Sequence, residues 1–391
     1  MNGPAARPDH KHLFQRALAA APGRLHMAAH SHHLWPDASF AGQMAAWEDA
    51  ARLADRKWDR VMGEVWPAAQ RHVAAELRLP DPTSIVFAPN THELLVRLVS
   101  SHPAARPLRV LTSEGEFHSF RRQAARWAEA GEIVLEAVPV TGDGFAERFI
   151  ARARSGEHDL IFVSHVMFGS GLVFDRLGEL AELADAAGPW VVIDGYHGFM
   201  AIETDLSAFA DRVFYLAGGY KYAMAGEGVA LMHAPAGFGP RPIVSGWYAE
   251  FDDLALPRGT VGYAQDARRY LGATFDPSGL YRFVAVRDML DAEGHSTESI
   301  CAHVSALRAA LLACVDATAL GSAELLNPPG GPAQARFLAF RSSRAAPWKA
   351  ALDEDQVIVD VRGDVLRIGL GLYHDRHDVE RLITILGRLG P

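Results

Sequence analysis

Between residues 84 and 232, short uninterrupted apolar runs alternate with stretches whose apolar positions recur every three or four residues. Ser84–Ala88 (SIVFA), Leu108–Thr112 (LRVLT), Ile133–Val138, Asp159–Ser164 (DLIFVS), Trp190–Asp194 (WVVID), Val213–Ala217 (VFYLA) and Gly228–Met232 (GVALM) read as strands. Thr91–Ser101, Ser119–Ala130 and Leu177–Ala187 carry helical spacing, and Gly188-Pro189 stops the last of them. Strands that are apolar on both faces and separated by helices predict a mainly parallel sheet covered on both sides. The predicted fold class is therefore α/β, a doubly wound domain on a seven-stranded sheet. Ligands of such sheets sit beyond the carboxyl ends of the strands, so the polar residues that close each strand carry the chemical interest.

From about residue 280 the pattern changes. A long helical stretch, roughly Tyr281 to Val315, precedes strands at Phe337–Arg341, Val357–Val361 and Leu366–Leu370 and a final helix near Val379–Leu389. This predicts a smaller α+β domain, consistent with a 391-residue chain exceeding what one core usually serves. The expected division is an N-terminal segment, 1–45, packing on the small domain, a large domain, 46–278, and a small C-terminal domain, 279–391. No internal repeat or low-complexity segment is evident.

Composition narrows the class of partner. Apolar residues make up 49% and charged residues 22%, the balance of a globular chain. With 38 basic against 47 acidic residues the net charge is −9, which disfavours nucleic acid or an anionic membrane as partner. No apolar run reaches the roughly 18 residues of a membrane span. The opening MNGPAARPDHKHLFQRALAAAPGR lacks a sustained apolar stretch, so no secretory signal is expected. Cys301 and Cys314 are the only cysteines; two isolated thiols suggest a reducing, cytoplasmic setting and read as partly buried groups without a function.

Asp194 closes the apolar run WVVI, where a lone buried carboxylate is costly and calls for a cationic or donor partner. Lys221 follows the next strand, inside Gly218-Gly219-Tyr220-Lys221-Tyr222, and flanking glycines allow close approach to a ligand. An amine delivered by a strand-end loop into an apolar setting suits imine chemistry, because desolvation favours its neutral, nucleophilic form.

These residues resemble a known family. DGYHGFMA followed by LAGGYKYAMAGEGVALMH is similar to the class V group of fold-type I pyridoxal-phosphate enzymes, and within it nearest to kynureninase. The resemblance implies pyridoxal 5'-phosphate held as a Schiff base on Lys221, with Asp194 paired to the pyridine nitrogen. APNTHE at Ala88–Glu93 resembles the family's phosphate loop, in which helix-start amides face the anion; Thr91 adds a hydroxyl and His92 its backbone N–H. Phe117 in Glu116-Phe117-His118-Ser119 falls where the family stacks a ring on the cofactor. Ser164-His165-Val166 resembles the stretch near the ring hydroxyl. His197 and Tyr220 match phosphate-side residues, while Trp247 and Thr274 fall where a neighbouring subunit contributes. VIVDVRGDVLRIGLGLY resembles the segment whose arginine, here Arg367, clamps the substrate α-carboxylate.

The segment LHMAAHSHHLWP departs from the family. Kynureninases carry Asn-Ser and Leu-Gly where this chain has His30-Ser31 and His32-His33; Ser31 and His32 are the expected substrate-side residues. A metal site is not expected, since no cysteine or carboxylate has ligand spacing beside these histidines. His374 and His377 read as surface residues and Gly169-Ser170-Gly171 as a turn. The resemblance implies a homodimer acting on a small amino-acid substrate. Three activities follow: kynureninase-like hydrolysis of a Cβ–Cγ bond; another class V activity such as an aminotransferase, epimerase or β-lyase; and a non-catalytic cofactor-binding regulator. A cysteine desulfurase is disfavoured, because the segment corresponding to its nucleophile loop, 327–335 (NPPGGPAQA), contains no cysteine.

Overall fold

The structure is a computed structural model and describes residues 10–253, 256–257, 259–330 and 333–389. The opening of the expected N-terminal segment, residues 1–9, and positions 331 and 332 of the 327–335 loop lie outside the described residues. After a short strand β1 (Leu25–His26), the chain builds β2 (Ile85–Ala88), β3 (Leu108–Ser113), β4 (Ile133–Val138), β5 (Leu160–Ser164), β6 (Trp190–Asp194), β7 (Val213–Gly218) and β8 (Ala230–His233). These seven form one sheet in the order β2-β8-β7-β6-β5-β3-β4, with β8 antiparallel to both neighbours and every other pairing parallel. The fold is α/β with a mainly parallel seven-stranded sheet. All residues of β2, β5, β7 and β8 are buried, which is why their sequences run apolar without alternation. The edge strand β4 exposes Val134 and breaks the rule as an edge should.

Strand order reverses where the chain moves from β4, on one side of β3, to β5 on the other, and this opens a crevice at the carboxyl ends. Register makes the crevice level: Ser164 pairs with Asp194, and Asp194 with Leu216. The ends of β5, β6 and β7 therefore deliver their next residues to one place.

The rest of the chain adds β9 (Glu324–Leu325), β10 (Phe337–Arg341), β11 (Val357–Ile358), β12 (Asp360–Arg362) and β13 (Val365–Gly369). A second, antiparallel sheet has the order β12-β13-β10-β9. The expected strand Val357–Val361 is in fact two. β11 pairs in parallel with β1 and β12 pairs with β13, so the chain changes sheets at Val359. The long stretch Tyr281–Val315 is likewise two helices, Ser278–Ala292 and Thr297–Leu312. Gly294 takes a left-handed conformation (φ 71°) and Ser296 caps the second helix in a reciprocal box with Ser299, a combination that ends one helix and starts another. The helix expected over Leu177–Ala187 stops at Ala181.

Helix Asp37–Leu53 lies against helix Ser278–Ala292. A Cβ on Gly42 would stand 2.6 Å from the Tyr281 carbonyl oxygen, so only glycine permits this close crossing. Tyr281 Oη donates to Asp49 at 2.9 Å across the same contact. Among the described residues no helix is long and apolar enough to cross a membrane.

Candidate active site

At the carboxyl ends of β3, β5, β6 and β7 lies a cavity of about 210 Å³, bordered by Asp194, Lys221, Thr91, His92, Phe117, Ser164, His197 and Tyr220. Eight of the residues singled out by sequence thus meet in one place. Lys221 Nζ is buried, 2.6 Å from His197 Nε2, and faces the rings of Tyr196, Phe117 and Tyr220 at 4.7, 5.4 and 5.8 Å. Burial outweighs the attraction of Asp194 and pulls the Lys221 amine down to about 7, with Arg367 adding to the fall. Burial pushes Asp194 up, opposed by the Tyr196 N–H and by Lys221. Both shifts favour the neutral forms, so the pair is an amine ready to act as a nucleophile beside a carboxyl in want of a cation.

The fit to pyridoxal phosphate rests on groups left open. Asp194 Oδ1 accepts from Tyr196 N at 2.9 Å, its one hydrogen-bond partner among the described residues, and a protonated ring nitrogen would supply the missing donor. His197 Nδ1 is buried and has no hydrogen-bond partner among the described residues. Helix Thr91–Ser100 presents its amino end to the cavity; its cap, Asn90, accepts from Glu93 N at 3.0 Å, leaving the first amides available to an anion. Phe117 stands edge-on to Phe168, with ring centroids 5.3 Å apart. The residues present fit the cofactor: an amine, a carboxylate, an aromatic face and an anion-binding helix start around one space.

Other candidates sit elsewhere. His165 turns away from the cavity, as the residue after Ser164 in an extended chain must, and packs where a Cβ on Gly198 would meet its Nδ1 at 2.5 Å. Trp247 is 44% exposed against Tyr248, and Thr274 is exposed; neither borders the cavity of its own chain. His32 meets Tyr220 edge-on at 4.7 Å, whereas Ser31 is half-buried and its N–H donates to the Ala28 carbonyl at 2.9 Å. The glycines beside Lys221 serve protein neighbours: a Cβ on Gly218 would meet Tyr196 Oη at 2.1 Å and one on Gly219 would meet Val229 Cγ1 at 2.5 Å. His377 is exposed, but His374 is buried and bonded to the His26 carbonyl at 2.7 Å, so it is a core residue that ties the N-terminal segment to the second sheet. Cys301 is half-buried, whereas Cys314 is exposed beyond the helix end.

Arg367 comes from β13, the inner strand opposite Asp360 on β12. It donates to Asp360 and to the Phe168 carbonyl, and Asp360 also holds Arg362 at 2.8 Å. Phe168 borders the cavity, so the second sheet reaches the site through this arginine. Two groups here were not among the expected site residues. His30, fully buried with neither ring nitrogen hydrogen-bonded among the described residues, stacks on Phe337 at 4.8 Å and lies 3.8 Å from Asp360. A Cβ on Gly369 would clash with its Nδ1 at 2.2 Å. Glu116 accepts from Ser113 Oγ and Ser164 Oγ, both at 2.5 Å, beneath the cavity floor. Its motif was visible, but a carboxylate in a loop gives no sign of burial. Among the described residues no group of three or more His, Cys, Asp or Glu is placed to hold a metal.

Burial raises Glu116 from 4.5 to about 7, against the lowering effect of its serine donors. The folded protein therefore keeps a proton that the unfolded chain has lost, so this contribution is complete below pH 4.5 and disappears as pH rises through 7. Glu116→Gln, which cannot ionise, should gain stability relative to the wild type between pH 5 and 8, by at most about 3 kcal/mol. Calorimetric Tm differences that stay constant over this range would exclude the buried titration.

Comparison with known proteins defines the class. The family described as "Kynureninase C-terminal domain" matches residues 300–386, which include Arg367. Isopenicillin N epimerase of Streptomyces clavuligerus is 27% identical over 374 residues, covering 87% of this chain and 89% of the relative. A probable cysteine desulfurase of Pseudomonas aeruginosa is 27% identical over 351 residues, covering 82% of each. The cystine C–S lyase C-DES, solved with cysteine persulfide, superposes with a TM-score of 0.80 at 16% identity, over 97% of this chain and 100% of its own. Fold and site together define a pyridoxal-phosphate protein of fold-type I. More narrowly, its similarities fall within the class V group of these enzymes.

Proposed function

We propose that this enzyme hydrolyses the Cβ–Cγ bond of a β-acyl amino acid of the kynurenine type, releasing alanine and an aromatic acid. One observation carries the reading: Arg367, whose guanidinium donates to the carbonyl of the cavity-lining Phe168, lies within the segment similar to kynureninase C-terminal domains. Bound pyridoxal phosphate supplies the electron sink for the carbon that bears the substrate amine.

The chain's own residues do the rest. Lys221 would hold the cofactor and then move the proton at Cα, a task for which an amine brought down to about 7 is well matched to neutral pH. Asp194 would keep the pyridine nitrogen protonated, while Thr91, the His92 amide and Tyr220 would hold the phosphate, and Phe117 would cover the ring. Arg367 would fix the α-carboxylate, with His32 and Ser31 at the substrate side and Ser164 below the ring. His197, bonded to Lys221 Nζ, is positioned to share its proton. One water is consumed, its hydroxyl joining the acyl carbon and its proton reaching Cβ. Trp247, with its neighbours Ile243 (84% exposed) and Val244, offers an apolar surface suited to a two-fold partner.

A second reading has its own support. The His30–His33 segment departs from the kynureninase pattern, and the epimerase relative aligns along most of the chain. Another class V activity, an epimerisation or a β-elimination, would use the same Lys221 and Arg367. Incubation with kynurenine and 3-hydroxykynurenine in deuterated water separates the two. Alanine and an anthranilate should appear together. Deuterium at Cα without cleavage would favour the second reading, and neither signal would remove kynurenines from the substrate class. Desulfuration is disfavoured, since Cys301 borders a different cavity and Cys314 is exposed beyond the helix end.

A further inference from the structure

A separate cavity of about 570 Å³ lies between helix Thr297–Leu312, the segment after His197 and the loop before β10, and shares no bordering residue with the Lys221 cavity. Cys301, Val304, Ser305 and Arg308 recur at helical spacing and present one face to it. Arg336 closes another wall, and Ala201, Ile202 and Ala333 make much of the remaining wall apolar.

Its two arginines are unusual in what they lack. Both are 4% exposed, yet among the described residues neither pairs with a carboxylate. Arg308 Nη1 donates to the Ala335 carbonyl at 2.7 Å, while its Nε is buried without a hydrogen-bond partner among the described residues. Arg336 donates to the carbonyls of Ala201 and Thr297 at 3.2 and 3.3 Å, reaches Cys301 Sγ at 3.5 Å, and lies 5.3 Å over the Tyr222 ring. The acids at the cavity edge, Glu203 and Glu298, are exposed, and Glu203 instead approaches Arg78 at 3.5 Å. Two enclosed guanidiniums without a counter-charge are costly, and the cost is relieved by an anion that enters with its own hydrogen-bond acceptors. Burial also draws the Arg308 guanidinium below its ordinary value.

We propose that this cavity is a second ligand site, taking a small carboxylate with an apolar body: the planar forks of Arg308 and Arg336 hold the carboxylate, and the Ile202–Val304 wall holds the body. The site is independent of the chemistry assigned to Lys221, and its test needs no turnover. Cys301 borders the cavity and Cys314 is exposed outside it, so the chain carries both a reporter and a control.

With benzoate as probe, alkylation of Cys301 by iodoacetamide, followed by mass spectrometry, should slow about tenfold at roughly ten times Kd, the factor set by mass action, while Cys314 is unaffected. Arg308→Met should abolish the protection. If that variant does not fold, Ser305→Trp, which fills the cavity from an exposed position, should abolish it as well. Unchanged Cys301 reactivity in the wild type would overturn the proposal. So would equal protection in the folded variants, or protection by inorganic phosphate but not benzoate, which would make the ligand a different anion.

Discussion

Replacing Lys221 by alanine should lower turnover of the amino-acid substrate by about 10²–10⁴-fold, the range lost with a positioned proton-transferring group. The size of the loss follows from where the amine stands. Its Nζ is enclosed, 2.6 Å from His197 and ringed by Tyr196, Phe117 and Tyr220, and no other lysine borders the cavity. Removing the side chain also frees Asp194 from its nearest cation, so the carboxyl should shift further toward its neutral form. Borohydride treatment of wild-type protein reconstituted with pyridoxal phosphate should attach the cofactor to the peptide containing Lys221, and the alanine variant should remain unlabelled there. Turnover within tenfold of the wild type, or label on another lysine, would detach the proposed chemistry from this site.

What the sequence could reveal follows from which forces act locally. Strands buried on both faces must be apolar throughout, so β5, β6 and β7 were legible, and with them the positions of Ser164, Asp194 and the Lys221 loop. Boundaries set by single residues were harder. Gly294 and Ser296 divide a stretch whose apolar spacing continues across them, and Val359 moves the chain between sheets without any change of composition. Burial of polar groups was harder still. Nothing in HSHH marks His30 and His33 as enclosed and His32 as exposed. That difference arises because β1 and the bridge from Ala28 to Gly369 press His30 against Phe337 and Asp360. The same holds for His374, whose partner is a carbonyl near the other end of the chain. The arginines of the second cavity were equally hidden, since a missing counter-charge is a property of the folded surroundings.

Arg367→Leu is expected to raise KM for an amino-acid substrate by about 10- to 150-fold, equivalent to the 1.5–3 kcal/mol of a hydrogen bond to a charged group, with a smaller change in kcat. The charge balance around β13 explains why this arginine has something left to give. Asp360 is shared by Arg362 and Arg367, two guanidiniums on one carboxylate, so the group keeps a net positive charge. Lys221, drawn toward neutrality, adds little to it. A substrate carboxylate completes the balance, whereas a leucine at this position would leave Asp360 satisfied by Arg362 and the sheet intact. Arg367→Lys should recover only part of the affinity, because an ammonium supplies charge without the planar fork. The deciding comparison is an amine substrate analogue that lacks the α-carboxylate. If Arg367 binds that group, wild type and Arg367→Leu should handle the analogue alike, even as they differ on the parent amino acid. Equal losses on both compounds would mean that the arginine acts only by holding β12 and β13 together.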